Sequence, residues 1–195
     1  MKTLIALFIL LLSLDVFAQD QVIQEKGWFF NPSIFYWGDT TDYQSKRART
    51  YFVGSVAAGY KNNGIFIGGI YDQSVEKWTD SGGSTEGDYV WTRTSWGPTV
   101  GVAYKAIYGF VTYYYFGELR DKRPNATEII YKNGSGVQLS FGAQFEISER
   151  FFLGPQLSYR TFKFEKSLQD GVETTLSKTY IKTTIDPLLS LFFYF

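Results

Sequence analysis

Residues 136–146 read "GVQLSFGAQFE", and their alternation decides the fold. Val137, Leu139, Phe141, Ala143 and Phe145 fall on one side of an extended chain. Gly136, Gln138, Ser140, Gly142, Gln144 and Glu146 fall on the other. A helix would scatter both sets around its axis, whereas a strand, with its period of two, separates them completely. The segment is a strand with one apolar and one polar face.

The same test works outward along the chain. In the last segment, Ile181, Thr183, Ile185, Pro187, Leu189, Leu191 and Phe193 oppose Lys182, Thr184, Asp186, Leu188, Ser190, Phe192 and Tyr194. In "FLGPQLSYR", Leu153, Pro155, Leu157 and Tyr159 oppose Gly154, Gln156, Ser158 and Arg160. In "RTSWGPTVGVAYK", Trp96, Pro98, Val100, Val102 and Tyr104 oppose Arg93, Ser95, Gly97, Thr99, Gly101, Ala103 and Lys105. Asn31 and Ser33 turn away from Phe30, Pro32 and Ile34, while 51–60, 64–72 and 108–118 are strand-like with either face apolar.

Eight strands are predicted, near 27–37, 49–60, 64–78, 88–105, 107–119, 127–145, 151–166 and 173–195. Tight turns at 61–64 (with Asn-Gly, a strong hairpin signal), 105–109 and 146–150 alternate with longer polar loops at 38–49, 79–88, 120–127 and 166–173. An even number of antiparallel strands, with short turns at one end and long loops at the other, predicts an all-β, up-and-down transmembrane barrel with periplasmic termini. A closed sheet pairs its backbone internally and so crosses lipid without edges. Its interior, just wide enough for side chains, takes the Gly, Ser, Thr, Gln and single charges of the polar faces.

The N-terminus, "MKTLIALFILLLSLDVFAQD", has a basic start at Lys2, an apolar run from Leu4 to Leu14 and a small-residue site at Val16-Phe17-Ala18. It reads as a secretory signal, residues 1–18, cleaved after Ala18 and leaving one domain over 19–195. The run is too short to cross about 30 Å of hydrocarbon as a helix. Nineteen bases balance nineteen acids, which offers no broad basic surface for nucleic acid. There is no cysteine and no histidine, so disulfides, thiol metal sites and the commonest general base are all missing. No cofactor, metal or catalytic residue is expected.

Aromatic residues gather towards the strand ends. Trp28, Phe29, Tyr60, Tyr104, Tyr108, Phe145, Phe151, Phe193 and Phe195 lie near the short turns. Tyr36, Trp37, Tyr51, Tyr71, Trp78, Tyr89, Trp91, Tyr115, Tyr131 and Phe164 lie near the long loops. Two such bands match the interfacial girdles of a lipid-spanning barrel.

The signal, the eight alternating strands and the closing "TYIKTTIDPLLSLFFYF" (179–195) together resemble the small outer-membrane barrels of Gram-negative bacteria, the OmpA transmembrane-domain, OmpX and OmpW-like group. The resemblance implies residence in the outer membrane among lipid and lipopolysaccharide, and a monomer. It also implies an assembly signal, read by the barrel-assembly machinery, at Leu189, Leu191, Phe193 and Phe195. Pro187 departs from that pattern, and a bulge is expected there.

Arg93, Glu118, Glu146, Gln156, Arg160, Lys182 and Asp186 are the candidate interior network. Unpaired charge in a narrow low-dielectric interior is costly, so these groups are expected to pair and plug the barrel. The leading functional expectation is a structural or surface-interaction barrel without enzymatic activity. An OmpW-like narrow channel for small hydrophobic molecules, past Phe162, Phe164 and Tyr180, is the alternative. A soluble lipocalin-like carrier would require the two faces to be reversed.

Overall fold

A computed structural model describes residues 26–41, 46–81 and 87–195. The expected signal peptide lies outside the described residues. Among them there is no helix, and antiparallel strands form a ring-like sheet. The strand segments are β1 (Lys26–Thr41), β2 (Lys46–Asn62), β3 (Ile65–Ser81), β4 (Gly87–Tyr104), β5 (Ile107–Tyr114) and β6 (Phe116–Lys122). They continue as β7 (Ile129–Lys132), β8 (Ser135–Ala143), β9 (Phe145–Ser148), β10 (Phe151–Gln169) and β11 (Val172–Tyr194). Strands β1 to β5 pair in sequence order; β4 also pairs with β6, β5 with β8, β6 with β7, and β10 with β7, β8 and β9, while β11 pairs with both β10 and β1, so the sheet returns on itself.

Local chemistry explains the connections. Asn63 and Gly64 both have positive φ and join Asn62 to Ile65 in a two-residue turn, the backbone that Asn-Gly adopts without strain. Asp170 and Gly171 do the same between Gln169 and Val172. The long loop expected at 166–173 is therefore the tip of a continuous hairpin.

Two interruptions reset side-chain direction. Tyr115 separates β5 from β6, and Asn133-Gly134 separates β7 from β8; the two breaks meet where Gly134 N–H donates to Gly117 O at 2.9 Å. Thr112 and Tyr114 face inward before the break, and Leu119 and Asp121 after it, so the alternation changes phase. Glu118 consequently sits on the outer face, paired with exposed Arg120 at 2.7 Å. A further interruption at Gln144, whose N–H bonds to Ala106 O, keeps the register: Phe145↔Leu153 and Glu146↔Phe152 continue the β8–β10 ladder, and Glu146 is exposed at the short-turn rim, past the end of the enclosed interior. Both glutamates were expected inside; Glu118 lies one phase change beyond the stretch whose alternation located it, and Glu146, still in phase, lies past the end of the enclosed interior.

Elsewhere the faces hold. Val137, Leu139 and Phe141 are 38%, 50% and 52% exposed, while Gln138 and Ser140 are 1% and 5% exposed. Apolar residues on β1, β3, β4, β5, β10 and β11 are exposed in the same way, among them Ile34, Ile67, Val100, Val111, Leu157 and Ile185. Leu189, Leu191, Phe193 and Phe195 share this outer row of β11.

Inside, the short-turn half is aromatic rather than polar. Phe29, Phe66, Phe110, Phe192, Tyr108 and Tyr194 are buried together, with Phe29 edge-on to Phe66 at 5.0 Å and Tyr108 edge-on to Phe192 at 4.7 Å. Such edge contacts add about 0.5–1.5 kcal/mol each beyond area burial. The two expected aromatic bands are thus split. Trp28, Tyr104, Tyr36 and Tyr71 point outward, whereas Phe29 and Tyr108 fill the floor.

Candidate functional site

The middle of the ring holds a neutral set of four charges. Arg93 on β4 donates to Asp72 on β3 at 2.5 Å, and Arg160 on β10 donates to Asp186 on β11. Arg160 Nη2 also lies 3.0 Å from Asp72 Oδ2, which joins the two pairs into one cluster. All four side chains are essentially inaccessible. The remaining guanidinium surface of Arg93 lies 4.3 Å from the centre of the Phe162 ring, a cation–π contact that takes the place of further acceptors.

Neutral groups complete the cluster. Asp186 accepts from Tyr51 Oη at 2.9 Å and from Thr184 Oγ1 at 3.0 Å. Arg160 Nε and Tyr114 Oη both donate to Gln138 Oε1, at 2.8 and 2.6 Å. From there hydrogen bonds run through Ser140 and Ser158 to Gln156, then through Ser33 and Ser190 to Asn31. Arg93 Nε and Nη1 make no hydrogen bond, so the pairing of opposite charges, together with the Phe162 ring face, is what makes this buried charge tolerable.

Towards the long-loop end the interior opens. Lys182 Nζ lies 3.3 Å from Glu76 Oε2 and 4.2 Å from the Trp91 ring, and Glu76 is also held by Arg49. Trp91 Nε1 donates to Asp121 at 2.7 Å, and Arg123 pairs with the same carboxylate. Tyr131 stacks on Tyr180 at 5.0 Å, with Phe164 behind both. Trp78, Trp91 and Tyr131, assigned from sequence to an outer band, therefore line the inside of the mouth.

Of the seven residues proposed for the interior, the structure brings Arg93, Gln156, Arg160, Lys182 and Asp186 inside, and leaves Glu118 on the outer face and Glu146 exposed at the short-turn rim. Sequence reasoning missed Asp72, Glu76 and Gln138 as members. Asp72 and Glu76 lie in "YDQSVEK", where polar residues occupy both faces and the alternation carries no signal. Gln138 was placed on the inner face but not singled out, because nothing in its own strand announces Arg160 across the ladder. Among the described residues no acidic cluster could hold a metal ion. The chain matches no family model and no curated protein.

Proposed function

We propose that the protein is an eight-stranded outer-membrane β-barrel, closed at its middle by an ion-pair plug, which presents its long-loop end for contact outside the cell. The grouping into eight strands treats β5 with β6, and β7 with β8 and β9, as single strands interrupted by bulges. The carrying observation is the inversion of the usual distribution. Two arginines and two aspartates are fully buried, while isoleucine, valine, leucine and phenylalanine are exposed around the ring. A soluble monomer rarely exposes contiguous apolar surface on that scale, whereas a closed sheet in hydrocarbon requires it. The lipocalin-like arrangement, with an apolar cavity and polar wall, has the opposite distribution.

The plug and the aromatic floor together argue for a barrel with little conductance, since side chains occupy the cross-section from β1 to β11. The mouth, with Trp91, Tyr131 and Tyr180 above Lys182 and Glu76, favours a secondary reading in which small amphipathic molecules dock from outside without crossing. Cell fractionation, followed by electrophoresis of unboiled and boiled samples, tests the main proposal. Outer-membrane recovery with heat-modifiable migration supports it; a soluble periplasmic band, unchanged by boiling, overturns it.

A further inference from the structure

The outer wall is not uniform. Beside the Asn63-Gly64 turn it carries an open groove of about 550 Å³. Trp28 and Tyr60 line it from β1 and β2, edge-on to each other at 5.5 Å, and Ile65 and Ile67 line it from β3. Phe29, Lys61 and Phe66, the alternate residues of these strands, are buried on the opposite face, so the groove looks away from the ring axis. Gly59 and Gly68, partners across the β2–β3 ladder, contribute backbone alone. The next outward pair, Ala58↔Gly69, is nearly as short, which leaves a low path up the wall.

The groove is also graded in polarity. Away from the turn it is lined by Ile67 and glycine backbone, and at the turn it ends on exposed Asn62. Lys26 stands opposite Asn62 in the β1–β2 ladder, on the same outward face as Trp28. It is exposed, and among the described residues no carboxylate pairs with it. Trp28 and Tyr60 are the ring types that settle where hydrocarbon meets headgroups. An apolar trough that ends on an amide and a free ammonium matches a molecule with an alkyl chain and a phosphate. Its volume falls within the roughly 300–1,000 Å³ of small-ligand sites, which suits part of one lipid and not a folded partner.

We propose that this groove holds one phospholipid, an acyl chain lying over Gly59 and Gly68 between Trp28 and Ile67, with the phosphate at Lys26 and Asn62. The inference rests on the outer-membrane reading and deepens it: one position on the wall, at the short-turn end, selects a lipid that the remaining apolar surface merely touches.

Native mass spectrometry of the full chain, released from neutral polyoxyethylene detergent micelles, tests the site. Dioleoylphosphatidylglycerol is titrated in, and dioleoylglycerol, with the same chains and no phosphate, is the comparison. One phosphatidylglycerol per chain should be retained at a lower concentration than any further lipid, and at a lower concentration than dioleoylglycerol. Trp28→Ala should raise that first midpoint roughly tenfold, as loss of a large aromatic contact implies. Lys26→Gln should raise it about fivefold, the effect of one lysine near a lipid surface, and leave dioleoylglycerol unchanged. Val111→Ala, at an equally exposed position on β5 outside the groove, should leave both unchanged. Lipids that add with no preferred first one in the wild type overturn the proposal whether or not the variants fold. So does a Trp28→Ala midpoint that matches Val111→Ala, or a Lys26→Gln midpoint that matches the wild type. The fractionation experiment fails separately: a soluble periplasmic band removes the bilayer reading, whereas outer-membrane recovery without a preferred lipid removes this site alone.

Discussion

Strand β11 has two neighbours and treats them differently. With β10 it keeps a ladder from Phe151↔Phe193 up to the Asp170-Gly171 turn, broken by one shift beside Lys166. With β1 only four pairs form: Phe29↔Tyr194, Phe30↔Phe193, Ser33↔Ser190 and Ile34↔Leu189. Hydrogen-bond direction explains the contrast. Phe195 and Trp28 exchange both backbone bonds, at 2.9 and 3.1 Å, whereas Tyr194 N–H donates to Arg150 O. Odd residues of β11 therefore aim at β1, even ones at β10, and even residues of β1 aim at β11. Pro187 and Pro32 both direct their missing N–H into the same seam. The gap between Phe30 and Ser33 falls at Pro32, and the ladder ends just short of Pro187, which would face Tyr36 in the same register. The bulge expected at Pro187 is not needed, since its other side runs through Leu157↔Pro187 without a shift.

Side chains close the ring where the backbone does not. Leu191 O, which faces Pro32, accepts instead from Asn31 Nδ2 at 2.7 Å. Higher up, Tyr51 on β2 reaches past β1 to bond Asp186 on β11. The largest predicted effect follows from cutting that upper link. Asp186→Asn leaves Arg160 sharing Asp72 with Arg93, one positive charge in excess within a closed interior. Removal of one member of a buried pair costs about 3–5 kcal/mol. The urea midpoint of the folded protein should fall accordingly. A shift as small as that of a surface substitution would mean that water reaches the cluster.

The two ladder defects give smaller effects of opposite sign. Asn31→Leu strands Leu191 O in the buried seam and leaves Ser190 with Ser33 alone, and should cost about 1–3 kcal/mol, the penalty for an unsatisfied buried group. The same midpoint measures it. Pro187→Val restores a donor opposite Tyr36 and should lengthen the seam, gaining about 1 kcal/mol from the added bond. Hydrogen exchange reads this directly. In the parent protein the amides of Tyr36, Gly38 and Thr40 should exchange faster than those of Phe35, Trp37 and Asp39, which face β2. In Pro187→Val the Tyr36 amide should slow. Uniform exchange along β1 would refute the assignment of strand direction.

What the sequence made legible follows the same physics. Alternation is a local property, so it located the inner and outer faces of β8, β10 and β11 and the membership of Arg93, Arg160 and Asp186 inside. It failed where phase is lost. Tyr115 shifts the register against β4 by one, which turned Glu118 outward, whereas Glu146 keeps its register and is exposed because the strand runs past the floor at the short-turn rim. It was silent where both faces are polar, as around Asp72 and Glu76. Ring closure through Tyr51 and Asn31 joins residues far apart in the chain, and no local pattern encodes which strand a proline's missing donor faces. The tip of the β10–β11 hairpin had its Asp-Gly signal in view, but the polar residues around it resemble a loop unless the cross-strand partners are known.

That tip also carries the smallest effect, and it sharpens the contrast from the well-paired side. Lys166 on β10 donates to Glu173 on β11 at 2.6 Å, both side chains partly exposed. The hydrogen bond from Lys166, and then its charge, hold the Glu173 carboxyl below its ordinary value. A carboxyl lowered in the folded state contributes stability above its unfolded pKa, near 4.3, and that contribution is lost as pH falls through the lowered folded value. Solvent keeps the contribution small, so the useful readout is the titration itself. By nuclear magnetic resonance the Glu173 midpoint should sit below that of an isolated glutamate and rise towards it in Lys166→Met. Exchange at Leu168 and Val172 should barely change, because the backbone rungs there are complete without the ion pair. Should that variant instead loosen the tip as Pro32 and Pro187 loosen the seam, side-chain bonds would be holding both sides of β11, and the difference between its two neighbours would be one of degree.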